Sequence, residues 1–104
     1  MNFVVPGRKI FDYLLKDPGK SAFFSSIGYA SADWERLRDD IRSMAERFSP
    51  AMRTRQVTIY GTEYEILGEL AAPDGRTIPL TSAWIMDAGE TDIIRFVTAY
   101  PAKR

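Results

Sequence analysis

The spacing of apolar residues changes once along this chain, and that change constrains the fold more than any single motif. Up to Phe48 the apolar residues recur at intervals of three and four. Trp34, Leu37, Ile41, Met44 and Phe48 form one stripe, leaving Arg36, Asp39, Asp40, Arg42, Glu46 and Arg47 for a solvated face. After residue 52 the pattern alternates. Val57 and Ile59 lie between Gln56, Thr58 and Tyr60, and Tyr64, Ile66, Gly68 and Leu70 lie between Glu63, Glu65 and Glu69. Helices grouped before strands predict an α+β domain with the helices on one face of a sheet.

Two shorter helices precede the long one. Ile10, Tyr13 and Leu14 share a face over about residues 8–15, and Asp17-Pro18-Gly19 reads as the turn that stops it. Phe23, Phe24 and Ile27 mark a second helix over about residues 20–27, ended by Gly28. Ser31 is placed to cap the third, with Asp33 and Glu35 where negative charge complements the helix dipole. Gly61-Thr62 predicts a hairpin turn and Ala72-Pro73-Asp74-Gly75 a second one; Asp87-Ala88-Gly89-Glu90 breaks the chain before a last strand over residues 92–100. Four consecutive strands with short turns predict a four-stranded antiparallel meander. The expected layout is a single domain over residues 1–104, helical over 1–50 and sheet over 53–101. The face away from the helices would be open to a ligand, RNA or a partner protein.

The chain holds no His and no Cys. Any catalysis must therefore use Lys, Arg, Tyr, Thr, Ser or carboxylates. Disulfides and thiolate or imidazole metal sites are excluded, and no Asp-x-Asp-x-Asp-Gly loop is present, so neither a metal nor a cofactor is expected. No apolar run approaches the roughly 20 residues of a membrane span, and the first residues lack the pattern of a secretory signal, which gives the expectation of a cytoplasmic protein with no membrane partner. Net charge is zero, with 14 basic and 14 acidic residues. The basic excess usual in general nucleic-acid binders is absent.

Metal-free cleavage of RNA needs a group to assist the 2′-hydroxyl, a donor for the leaving 5′-oxygen, and cations around the phosphate. Lys20, Arg76, Arg95, Thr98 and Tyr100 are the candidates. Thr98 and Tyr100 share a face by the period of two, whereas Arg95 falls on the other face unless a bulge intervenes. Tyr60 and Trp84 read as core or stacking residues.

The chain also resembles an uncharacterised bacterial domain family. The resemblance rests on Lys9-Ile10 with Tyr13-Leu14-Leu15, Gly19-Lys20 with Phe23-Phe24, Tyr60-Gly61, Gly75-Arg76, Trp84-Ile85, and Arg95 with Val97-Thr98-Ala99-Tyr100-Pro101. Members of that family are small stand-alone proteins and C-terminal modules of polymorphic toxins. Their layout is similar to the barnase/EndoU/RelE group of ribonuclease toxins, whose RelE-like members use Lys, Arg and Tyr. The resemblance implies a metal-independent endoribonuclease of a toxin–antitoxin module, with RNA or the ribosome as target and an antitoxin or immunity-type small protein as partner. The other expectation is a non-catalytic interaction module, an immunity protein or antitoxin, that docks through its open sheet face.

Overall fold

The computed structural model describes residues 1–102 and, among these, every side chain except that of Tyr13. Tyr13, which the helical spacing groups with Ile10 and Leu14, thus falls outside the described side chains. In chain order the elements are β1 (Asn2–Val4), a π-helical turn (Lys9–Leu14), α1 (Pro18–Ser26), a 3-10 turn (Ser31–Asp33), α2 (Trp34–Phe48), a second 3-10 turn (Ser49–Ala51), β2 (Arg53–Thr58), β3 (Gly61–Ala71), β4 (Thr77–Asp87) and β5 (Ile93–Pro101). Among the described residues no helix is long and apolar enough to cross a membrane.

The α+β class and the β2–β3–β4–β5 meander agree with the sequence reading, but the sheet has five strands and is mixed. Its order is β1-β5-β4-β3-β2, and β1 runs parallel to β5, with Phe3 beside Ile94. Three residues are too few to show a period. What holds β1 is the Phe3 ring, 8% exposed and edge-on to Trp84 at 5.1 Å. The helical segment carries the chain from β1 at one edge to β2 at the other, and the connection from β1 to its parallel neighbour β5 runs through that segment and then β2, β3 and β4.

Alternation sorts the strands into two faces. Ile66 and Leu70 of β3, Leu80 and Trp84 of β4, and Ile94, Phe96 and Ala99 of β5 are buried under the helices. They meet Leu37, Ile41 and Met44 of α2, which belong to the stripe anticipated from spacing, and Ala45, which that stripe did not include; Trp34 and Phe48 at its ends are partly buried against the same core. Gly68 sets how closely α2 can lie on β3, because a Cβ there would come within 3.0 Å of both Met44 Cγ and Phe48 Cδ2. Trp84 is fully buried, and its indole N–H donates to Ser82 Oγ at 2.8 Å. That bond satisfies its polar atom inside the core.

Three local readings are corrected. Asp17-Pro18-Gly19 does not only stop a helix: it starts α1, with the Asp17 carboxylate accepting from the Lys20 N–H at 2.9 Å and Pro18 in the first turn, where its missing N–H costs nothing. Ser31 lies in a 3-10 turn leading into α2 and makes no side-chain cap bond at the helix start. The β2–β3 turn is Ile59-Tyr60, since Thr58 pairs with Gly61. Gly61 is required for another reason: at φ 148° a Cβ would stand 2.2 Å from the Met86 carbonyl oxygen.

Candidate functional site

The face of the sheet away from the helices carries polar residues in rows that cross the strands. One row runs Thr98, Ala83, Glu65, Arg53; on one side of it lies Tyr100, Thr81, Leu67, and on the other Arg95, Ile85, Glu63, Gln56. Opposed residues in a ladder share a face, so the register alone assigns these side chains to one surface.

A β-bulge in β5 brings Arg95 into this set. Thr98 pairs with Ala83 but Phe96 pairs with Trp84, which leaves Val97 as the extra residue. The inserted residue shifts the alternation by one. Phe96 and Ala99 can then both face the core while Arg95, Thr98 and Tyr100 all face outward. The face conflict between Arg95 and the other two is removed by this one residue.

Ala83 and Thr81 are buried in the middle of this face, with larger neighbours around them. Arg53, Glu65, Leu67, Thr81, Tyr100 and Pro101 line an open pocket of about 420 Å³. The Tyr100 hydroxyl donates to Glu65 Oε2 at 3.4 Å, and the Arg53 guanidinium stands 3.6 Å from Glu65 Oε1. The Glu65 side chain is 28% exposed and that of Arg53 78%. A carboxylate, a phenol and a cation therefore meet at one concave place, beside Thr98.

The other candidates lie apart from this pocket. Arg95 donates twice to Asp87, at 2.8 Å from Nε and 2.8 Å from the terminal nitrogen. These charge-assisted bonds hold the Asp87 carboxyl below the usual carboxylate range and raise the Arg95 guanidinium above its ordinary value. Arg76 belongs to the β3–β4 turn: its backbone N–H and Nε bind the two oxygens of Asp74 at 2.9 and 2.7 Å, and a terminal nitrogen reaches the Ser26 carbonyl of α1 at 3.1 Å. The same bonds, backbone first, lower the Asp74 carboxyl. Arg76 thus ties the turn to the helical layer, and at about 3.3 Å per residue the run of β4 up to Ile85 separates it from the Arg95 row by roughly 30 Å. Lys20 sits half-buried in the first turn of α1, in the layer across the sheet from the pocket. Of the five, Arg95, Thr98 and Tyr100 share the open face, and Lys20 and Arg76 do not join them.

Glu65 and Arg53 are the residues that the sequence reading did not single out. Their signal is the alternation of Glu63, Glu65 and Glu69, but only the pairing register shows that Glu65 lies two strands from Thr98. Tyr60, read as core or stacking, is 74% exposed at the hairpin tip, whereas Trp84 is core.

The model of a family described as a domain of unknown function, DUF6883, matches residues 1–103. The chain belongs to the DUF6883 family. That membership agrees with the resemblance to an uncharacterised domain and carries no activity with it. No curated protein and no solved structure is similar enough to match.

Proposed function

We propose that this DUF6883 domain is a toxin-like, metal-independent endoribonuclease of a bacterial toxin–antitoxin module. The observation that supports this reading is the meeting of Glu65, Tyr100 and Arg53 at one open-face pocket, with Thr98 beside it. Glu65 takes the proton of the ribose 2′-hydroxyl, the 2′-oxygen bonds to phosphorus, and the bond from phosphorus to the 5′-oxygen breaks. Tyr100 gives its proton to that leaving oxygen. Arg53 and Thr98 oppose the charge that builds on the phosphate. The products are a 2′,3′-cyclic phosphate and a 5′-hydroxyl, and the proton held by Glu65 returns to Tyr100 across their hydrogen bond. Lys20 and Arg76 have no part in these steps, and Arg95 flanks them.

The test is cleavage of single-stranded RNA by purified protein in the presence of a chelator, with the ends of the products identified. Glu65→Gln keeps the shape and the contact with Tyr100 but removes the base, so the rate should fall about 10²–10⁴-fold. Full activity of the folded variant, or an inert wild type, would overturn the proposal.

A second reading is an interaction module, an immunity protein or antitoxin. It is favoured by the charge of the same face, where Glu63, Glu65, Glu69 and Asp87 outnumber Arg53 and Arg95, each of which is already paired. Such a face attracts a basic protein surface more readily than RNA. If expression leaves growth unaffected and a neighbouring toxin is neutralised instead, this reading replaces the first.

A further inference from the structure

β3 runs from Gly61 to Ala71, but β2 pairs with it only as far as Glu65, where Arg53 stands opposite. Beyond that point the outer edge of β3 has no strand beside it. The Glu69 carbonyl shows which groups point that way, since it accepts from the Arg47 guanidinium of α2 at 3.3 Å. Backbone groups of an antiparallel strand alternate in direction with a period of two, so the N–H and C=O of Leu67 point to the same edge. Among the described residues no strand pairs with them.

A second cavity opens at this edge, next to the pocket of Glu65 and Tyr100. It measures about 280 Å³ and is lined by Phe48, Leu67, Gly68, Glu69 and Pro79. Leu67 borders both cavities and is 56% exposed. The walls are therefore mostly apolar, with main-chain donor and acceptor groups at Leu67 and one exposed carboxylate at Glu69.

We propose that this cavity is a nucleobase subsite: it receives a base adjoining the scissile phosphate and favours bases that carry an exocyclic amino group. The inference rests on the ribonuclease reading above, which supplies the occupant. Leu67 lies two residues from Glu65 on β3, about 6.6 Å along the strand, so a ribose at Glu65 carries its own base or its neighbour's to the cavity mouth. Chemistry selects the base over the rest of the strand. A phosphate would meet apolar walls and the Glu69 carboxylate, and no cation lines the cavity among the described residues. A base has an apolar face to lay on Leu67 and Pro79 and a polar edge for the main-chain groups. Adenine, cytosine and guanine also present an amino donor that Glu69 can accept from, whereas uracil presents none. In the opposite direction the open face is filled by the Arg95 to Asp87 ion pair and the Gln56 to Glu63 hydrogen bond.

The test measures binding without cleavage. Short single-stranded deoxyoligonucleotides lack the 2′-hydroxyl and cannot react, and fluorescence anisotropy compares strands of adenine, cytosine or uracil with an abasic strand of the same length. Wild type should bind the adenine and cytosine strands at least about tenfold more tightly than the abasic strand, with uracil between them. Leu67→Ser should bring all three to the abasic level and leave the affinity for the abasic strand unchanged, while Leu67→Met keeps the advantage. Glu69→Gln should close the gap between uracil and the other two. Both side chains are exposed, so each variant should keep the wild-type circular dichroism spectrum. Equal binding of strands with and without bases overturns the proposal, and so does a base advantage that survives Leu67→Ser. RNA cleavage is scored separately: an inert protein with Leu67-dependent base binding removes the catalytic reading alone, and an active one without a base advantage removes the subsite alone.

Discussion

The two faces of the sheet are built from the same strands, yet they differ in what each residue is answerable for. Toward the helices, Ile66, Leu80, Trp84, Ile94 and Phe96 are all fully buried, and each fills space that another side chain defines. Toward solvent, Glu63, Glu65, Arg95 and Tyr100 are partly exposed and interact through charge and hydrogen bonds with each other or with Asp87, Gln56 and Arg53, while Leu67 between them is exposed. Close packing makes the first face intolerant of a lost methylene. The second can exchange functional groups at little cost in stability, so substitutions there separate chemistry from folding.

The sharpest way to break the comparison is on the buried face. Trp84→Ala removes the ring that Phe3 and Phe96 meet edge-on at 5.1 and 5.3 Å. It also leaves the indole-bonded Ser82 Oγ without its donor. Urea unfolding should show a loss of about 3–5 kcal/mol. A loss below about 1 kcal/mol would mean that the helical layer, not the sheet, carries the core.

How much of this was legible follows from what kind of pattern each element leaves. The stripe Leu37, Ile41, Met44 is local, repeats every turn, and was readable with its burial. The meander was readable because Pro73-Asp74-Gly75 and Asp87 to Glu90 punctuate it. β1 was not, because Asn2–Val4 is recognised only by its pairing with a strand ninety residues away. A bulge was named as the condition for Arg95 to join Thr98 and Tyr100, but its place at Val97 was not legible, because no glycine marks it; there it lets Phe96 and Ala99 both face inward. The pocket was half legible: Thr98 and Tyr100 follow from alternation within β5, but Glu65 and Arg53 join them only through inter-strand register, which is a tertiary property.

A smaller effect should appear with acid at the loops that bound the open face. Asp74 and Asp87 are lowered by their arginines, and Glu90 is lowered by backbone N–H bonds to its Oε1 from Asp92, Ile93 and Thr91. A carboxyl with a lowered folded-state pKa stabilises the fold fully above its unfolded value of about 4 and loses that contribution as pH falls through the folded value. The thermal midpoint should therefore decline below about pH 4, and Asp87→Asn should flatten the decline. All three groups face solvent, so added salt should shrink the effect. Acid stability identical in wild type and Asp87→Asn would show that the Arg95 pair contributes nothing.

The smallest expected change is the most telling, because it tests whether the open face is free of structural duty. Tyr100→Phe keeps the ring that walls the pocket and removes only the hydroxyl, whose single described bond, to Glu65 at 3.4 Å, is long and partly exposed. Its partner Glu65 retains Arg53 and access to water, so no buried group is left unsatisfied. Stability should stay within about 0.5 kcal/mol of wild type. RNA cleavage by the same variant should fall at least about tenfold, since the leaving oxygen loses its proton donor. A variant that melts several degrees lower would show that the Tyr100 and Glu65 contact is part of the fold, and the division between the two faces would then have to be redrawn through β5.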